Sequence, residues 1–399
     1  MSKTPAAVTT NLRRIFLLWL ATRALLSLWA FYASVNSPVS ALPVWGPQEG
    51  WGWWERVLLA PWYRWDVEHF LKIATQGYRI DDGTLSFHPL YPLLGKAAGA
   101  LAGGDELWGL FIVSNVCSLL FLIAFERLAR MDLSREDAYR SCFYFLMLPT
   151  AFILFAPYTE SLFLLCSALT LLMARRGRWW AAGFMGGLAA LTRQQGILLL
   201  LPLAWELWEH AHRDWRKLLG RWRSAIALLL TPLGLAAWVV YRNFALGDMA
   251  FDWHAPYSLV YGLVISPSAS HIVTDQRITF PWKAVWLALS HLGTTNGIDL
   301  LLGSCYGLLL IAGGQQLWRL RASYLLYAAV TIVVSFSLST GVPYSYMGLG
   351  RHCLLAFPLA MVLATTTRSE IRAVATSVLG LLGLLGLSLL YVWKIAWVP

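Results

Sequence analysis

The chain has 399 residues, of which 58% are apolar and only 13% are charged. A soluble protein of this length carries roughly 25% charged residues, so a soluble multidomain enzyme is excluded. The formal net charge of +10 does not signal nucleic acid. The basic residues gather in short loops between apolar runs, where anionic membrane lipid is their expected partner.

Apolar runs of roughly 17–25 residues predict transmembrane helices. In chain order we expect spans near 14–35, 107–128, 139–156, 158–174, 179–191, 196–210, 224–244, 298–318, 322–339, 351–367 and 373–394. The first run is too long for a signal-peptide core and is expected to remain as a helix. Two predicted spans, 179–191 and 196–210, are short and are expected to be broken or tilted.

Charge tests the count. With the N-terminus cytoplasmic, every alternate loop is basic: Arg127, Arg130, Arg135 and Arg140; Arg175, Arg176 and Arg178; Arg213, Arg216, Lys217, Arg221 and Arg223; Arg319 and Arg321; Arg368 and Arg372. The opposite loops carry far fewer bases for their length. This pattern predicts about eleven spans. Residues 89–103 are too short and too rich in Gly and Pro to cross, and are expected to lie on or dip into the outer face.

The predicted fold class is therefore all-α: a polytopic transmembrane helical bundle forming one membrane domain over residues 1–399. Two long outer loops, 36–106 and 245–297, would carry interfacial helices. The 22 Trp mostly sit where a span meets a loop, as an aromatic belt does. The five Cys have no CxxC spacing, so no disulfide or zinc framework is implied. No internal repeat is evident.

Against this apolar background, Arg64-Trp65-Asp66-Val67-Glu68-His69 places two acids, an imidazole and a guanidinium within six residues. Ionisable groups beside hydrocarbon are costly and mark functional sites. Residues 63–76 read as a short helix with Asp66, His69, Phe70 and Ile73 on one side. Asp66 could take a proton from an acceptor hydroxyl, or could pair with Arg64 or Arg193 and simply fix the loop. His69, one turn on, could orient Asp66 or bind a phosphate. In Phe87-His88-Pro89-Leu90-Tyr91-Pro92, His88 precedes a helix start, where anions are welcome, although the prolines alone suit a plain helix-entry turn.

Three further outer turns carry polar groups. Glu160, after Tyr158-Thr159, is costly unless paired or solvated. Arg193, before Gln194-Gln195, has no acid beside it in sequence and suits a phosphate or carboxylate partner. A structural Glu160–Arg193 ion pair is the plainer alternative. Arg351-His352 opens a predicted span and would make an anion site there, or would snorkel to the interface. Asp81-Asp82-Gly83 reads as a solvated turn before a metal site. No DxD triad, HExxH or Walker loop is present, so no cofactor is demanded, while a divalent metal stays open.

These pieces together resemble the PIG-V mannosyltransferases, membrane enzymes of the GT-C class. The resemblance rests on Arg64-Trp65-Asp66 with Gly77-Tyr78, on Phe87-His88-Pro89-Leu90-Tyr91-Pro92, and on Pro149-Thr150-Ala151-Phe152 leading to Tyr158-Thr159-Glu160-Ser161. It continues through Leu191-Thr192-Arg193-Gln194-Gln195-Gly196 to Arg351 with Phe357-Pro358. The elements occur in the family's order over roughly residues 60–360. Eukaryotic members commonly carry Ser-Asn where this chain has Gln194-Gln195. The chain is compact and has no N-x-S/T sequon, so it looks like a bacterial relative, with its active site on the outer face of the plasma membrane.

The resemblance implies an inverting transfer of mannose from a polyprenyl-phosphate sugar donor to a hydroxyl of a glycan or glycolipid acceptor. Asp66 would be the general base. Arg64, His69, His88, Tyr158, Glu160, Arg193, Gln194, Arg351 and His352 would form the substrate-binding set, with the cations holding the lipid phosphate. The rival readings are a transporter or flippase for a lipid-linked substrate, which would want midplane binding groups and usually a repeat, and a GT-C transferase of another sugar.

Overall fold

The computed structural model describes residues 6–37, 50–80, 82–247 and 277–393. Residues 38–49 of the first expected outer loop, Asp81, and 248–276 of the second lie outside the described residues. The described residues are mostly helical. In order come α1 (Ala6–Val35), α2 (Trp53–Leu58), α3 (Asp66–Gln76), α4 (Leu90–Leu101), α5 (Glu106–Ala129), α6 (Arg135–Leu146), α7 (Glu160–Arg175), α8 (Trp179–Thr192), α9 (Leu200–His210), α10 (Trp215–Leu219), α11 (Trp222–Leu228) and α12 (Leu230–Val240). After them run helices Pro281–Leu289, Asn296–Leu320, Ala322–Ser337, Leu349–Leu354, Leu359–Thr366 and Glu370–Trp393. Among the described residues the only strand pairing is antiparallel and two residues long, Arg277–Ile278 against Leu338–Ser339.

Five helices among the described residues are long and apolar enough to cross a membrane: Asn11–Val35, Glu106–Ala129, Trp222–Ala245, Asn296–Leu320 and Glu370–Trp393. The chain is an integral membrane protein, and the expected count of about eleven spans is not reached by length and composition. Three expected spans are broken. Residues 139–156 divide into the end of α6 and a 3-10 turn Pro149–Leu154. Residues 196–210 divide into a 3-10 turn Gln194–Leu199 and α9. Residues 351–367 divide at Phe357-Pro358. Proline lacks the N–H that continues an α-helix, which accounts for the breaks at Pro149 and Pro358.

In a lipid environment apolar burial adds little to helix association, so close packing has to hold the bundle. The segment expected on the outer face is α4, and it is strapped along α5. A Cβ on Gly109 would collide with the Gly95 carbonyl oxygen and the Gly99 nitrogen; only glycine admits this crossing. Deeper in the bundle Phe121 and Phe125 of α5 meet Phe357 edge-on at 5.6 and 5.1 Å, and Phe145 of α6 packs on Phe121 at 5.0 Å.

Paired charge gathers at the two ends of α7. At its C-terminal end Arg175 forks onto Asp132 at 2.7 and 2.9 Å. Nearby Glu206, fully buried, accepts from Arg321 at 2.9 and 2.7 Å and from Ser323 at 2.5 Å. This knot joins α7 and α9 to the segment linking Asn296–Leu320 with Ala322–Ser337. The other end of α7, a helix of 16 residues and so about 24 Å long, carries the candidate site.

Candidate functional site

Trp65 has φ 53° and ψ −119°, a region that residues with a Cβ seldom adopt. The chain therefore turns sharply, and Asp66 opens α3. Strain of this kind costs about 1–3 kcal/mol and persists only where the surroundings hold it. Arg64 is the brace: its guanidinium donates to the carbonyls of Ala60 at 2.7 Å, Tyr63 at 2.8 Å and Val392 at 3.5 Å. Its own carbonyl accepts from the Tyr158 hydroxyl at 3.2 Å. These contacts make its side chain a staple between the loop and the last helix.

The other elements converge on Asp66. Arg351, two residues into helix Leu349–Leu354, donates from Nη1 to Asp66 Oδ2 at 2.8 Å. Its Nε lies 3.4 Å from Glu160 Oε1. Glu160 opens α7, where an acid suits the helix dipole. It receives Arg193 Nη1 at 2.5 Å, and the same nitrogen donates to the Thr159 hydroxyl at 2.8 Å. Arg193 ends α8 in an extended conformation, φ −153° and ψ 146°, which carries its side chain off the helix toward α7. The result is a chain Asp66–Arg351–Glu160–Arg193 of two carboxylates and two guanidiniums. Glu160 is fully buried, and Asp66 and Arg351 are 8% and 7% exposed.

Two sequence expectations are corrected here. Asp66 pairs with Arg351, and neither Arg64 nor Arg193 is its partner. Arg351 does not snorkel, because snorkelling would leave its head group in solvent and this one is buried. The plainer expectation for Glu160, an ion pair with Arg193, is what forms, but Glu160 also serves Arg351.

Tyr158 is fully buried, and its ring lies under the Arg351 guanidinium at 5.3 Å. His352 meets Gln195 Nε2 through Nδ1 at 3.1 Å, and Gln195 Oε1 accepts from Arg193 Nε at 3.4 Å. The sequence points to Gln194; the structure brings in its neighbour Gln195 instead, together with Thr159. The 3-10 turn that presents Gln195 folds back tightly on α8, since a Cβ on Gly196 would collide with the Ala190 nitrogen. Gly196, next to Gln195 in the Thr192-Arg193-Gln194-Gln195-Gly196 motif, is the signal in the sequence for that close turn.

His352 reaches Arg193 through Gln195, whereas among the described residues His88 and His69 make no hydrogen bond to the ion-pair chain. His88 Nδ1 is 2.8 Å from the Ala190 carbonyl, and burial pushes its imidazole down to about 3. That leaves the ring neutral in this arrangement, with Nδ1 turned to the Ala190 carbonyl. His69 stacks on Phe87 at 5.0 Å, and burial likewise lowers it. Asp82 Oδ1 accepts from the Thr84 nitrogen at 3.1 Å and its hydroxyl at 2.7 Å, the bonding of an ordinary Asx turn. Among the described residues no group of three or more His, Cys, Asp or Glu is placed to hold a metal ion.

Comparison with known proteins matches this picture. Residues 88–241 match the family described as dolichyl-phosphate-mannose-protein mannosyltransferase. The chain is 31% identical over 157 residues to GPI alpha-1,6-mannosyltransferase 2 of Rattus norvegicus, covering 35% of this chain and 30% of that protein. The corresponding protein of Mus musculus is 31% identical over 159 residues, covering 36% and 31%. The chain thus spans about 30% of the length of the curated relatives it matches. Over nearly its whole length it superposes on ArnT from Cupriavidus metallidurans, with TM-scores of 0.51 for the apo state and 0.50 for the form bound to undecaprenyl phosphate. Each superposition has 14% identity and covers 91% of this chain and 62% of ArnT, so this likeness concerns the fold. Over its centre the chain is thus similar in sequence to the GPI alpha-1,6-mannosyltransferase 2 proteins, and over nearly all of its length it shares the fold of ArnT.

Proposed function

We propose that this protein is a membrane glycosyltransferase. It moves mannose, with inversion, from a polyprenyl-phosphate donor to a hydroxyl of a glycan or glycolipid, at the outer face of a bacterial plasma membrane. The observation that carries the reading is the chain Asp66–Arg351–Glu160–Arg193. It combines a carboxylate able to take a proton with two arginines able to hold a phosphate. The names of the relatives, and the undecaprenyl phosphate held by ArnT, agree with that donor class.

In the proposed step the acceptor oxygen attacks the anomeric carbon from the face opposite the phosphate. The bond from that carbon to the phosphate oxygen breaks, and its electron pair stays on the phosphate. The hydroxyl proton passes to Asp66. A phosphate leaving group already bears charge and needs cations more than an acid. Arg351 and Arg193 meet the charge that grows on it, and such contacts act strongly where water is excluded. Glu160, between the two guanidiniums, offsets their mutual repulsion.

The test is to purify the full chain and supply polyprenyl-phosphate mannose with a membrane lipid extract, wild type beside Asp66→Asn. Mannosylated product from wild type alone is expected. Equal product from both would move the base elsewhere. Product only with a glucose or arabinose donor would keep the reaction class and change the sugar.

A further inference from the structure

The quartet explains what Arg351 touches, but not what aims it. Arg351 follows a loop whose glycines Gly341 and Gly348 have φ of 87° and 81°, left-handed positions that leave the chain free when unconstrained. Two side chains on the helix Asn296–Leu320 restrain it. Asn296, fully buried, accepts through Oδ1 from the Ser345 nitrogen at 2.9 Å and the Tyr346 nitrogen at 3.5 Å. Through Nδ2 it donates to the Pro343 carbonyl at 2.8 Å. One turn on, Asp299 is 4% exposed and accepts from the Leu349 nitrogen at 2.6 Å. The N–H groups of Gly348 and Gly350 lie against the same carboxylate.

A buried amide and a buried carboxylate thus grip the backbone from 343 to 349, ending two residues before Arg351. The grip leaves Asp299 Oδ2 without a hydrogen-bond partner among the described residues, although Arg351 acts on this carboxylate electrostatically. A buried carboxylate oxygen left unpaired is costly. An apolar residue here would leave the buried Leu349 N–H without its acceptor, so the carboxylate is what holds the backbone ahead of Arg351.

We infer that Asn296 and Asp299 are positioning residues for Arg351, holding its helix so that the guanidinium reaches Asp66 and the donor phosphate. The inference rests on the reading of Arg351 as a ligand of that phosphate. Loss of the grip lets the glycine-hinged loop relax, and Arg351 then spends less time in the binding geometry. Asp299 touches no reacting atom in this account. Its effect passes through Arg351.

The experiment uses the full chain in detergent with Asp299→Ala, Asp299→Asn and Asn296→Ala. Donor KM and kcat are measured with polyprenyl-phosphate mannose, and thermal unfolding is followed in parallel. Asp299→Ala is expected to raise donor KM about tenfold or more, the scale of a lost charge-assisted contact. Asp299→Asn keeps an oxygen for the Leu349 nitrogen and is expected to recover most of that loss. A merely structural role would lower kcat in step with the folded fraction and leave KM alone, which overturns the inference. A second measurement needs no activity: the melting shifts of Asp299→Ala and Asp66→Ala, singly and combined. Shifts that fall short of additivity are expected if Asp299 works through the Arg351–Asp66 contact, and strict additivity overturns it. Should wild type transfer nothing from any donor, the proposed function fails, while the unfolding cycle still decides the positioning.

Discussion

Arg351 and Asp66 stand 285 residues apart in sequence and meet at 2.8 Å through Nη1 and Oδ2, joining the helix Leu349–Leu354 to the start of α3. The contact occupies an oxygen of the proposed base with a donor from the proposed phosphate ligand. Donor arrival gives that guanidinium a second anion to serve, so binding of the donor and freeing of the carboxylate become one event.

Asp66→Asn is expected to keep the fold and lose the reaction. The amide oxygen still accepts from Arg351, and Glu160 still neutralises it. The amide cannot take a proton, and general-base catalysis is worth roughly 10²–10⁴ in rate. Initial rates of mannose transfer, measured on protein that elutes and melts like wild type, check this. A variant within about twofold of wild type removes Asp66 from the role of base.

Half of the site is legible in the amino-acid sequence. Asp66, Glu160, Arg193 and Arg351 stand out because an apolar chain does not place charge beside hydrocarbon without cause, and the structure brings these four together. Their pairing is not legible, since nothing local records that Arg351 reaches Asp66 while Arg64 turns to the carbonyls of Ala60 and Tyr63. Gln194 and Gln195 look alike in sequence, because neighbours in a 3-10 turn point in different directions and composition does not say which faces inward. Apolar composition locates the helical segments well. It also predicts unbroken spans across 139–156 and 351–367, where the chain in fact breaks, because a 3-10 turn or a proline break among apolar residues has much the same composition as the helix around it; the break within 196–210 is expected from that segment's shortness.

Glu160→Ala is expected to be among the most damaging single changes. It strands Arg193 and leaves Arg351 with Asp66 alone, and breaking a buried pair by removing one partner costs about 3–5 kcal/mol. Glu160→Gln keeps the shape and one acceptor and is expected to cost less. Melting temperatures of the purified variants in one detergent check the order. A Glu160→Ala protein as stable as wild type would mean that water replaces the carboxylate and the pair is not buried in practice.

Glu206→Ala separates stability from chemistry. Glu206 holds Arg321 and Ser323 at the opposite end of α7 from Asp66, so its loss strands a guanidinium far from the site. A stability loss of similar scale, about 3–5 kcal/mol, is expected. The folded fraction should keep the wild-type donor KM. A raised donor KM in the folded fraction would mean that the two ends of the bundle are coupled.

His88 predicts how stability responds to acid. Its imidazole is pushed from 6.5 down to about 3, first by burial and then by Arg242 and Arg193, with the Ala190 carbonyl opposing them. The unfolded chain therefore binds a proton at pH values where the folded chain does not. The stabilising contribution is complete above about pH 6.5 and is lost as pH falls from there toward 3, at up to about 1.4 kcal/mol per pH unit. His69, also lowered by burial, adds to the loss in the same direction. His88→Asn keeps a nitrogen donor near the position of Nδ1 for the Ala190 carbonyl and removes the titration. Stability measured from pH 7 to pH 4 is expected to fall less steeply in His88→Asn than in wild type. Parallel curves for the two proteins would mean that His88 takes up its proton while folded, and that the pocket between Ala190 and Trp238 admits water.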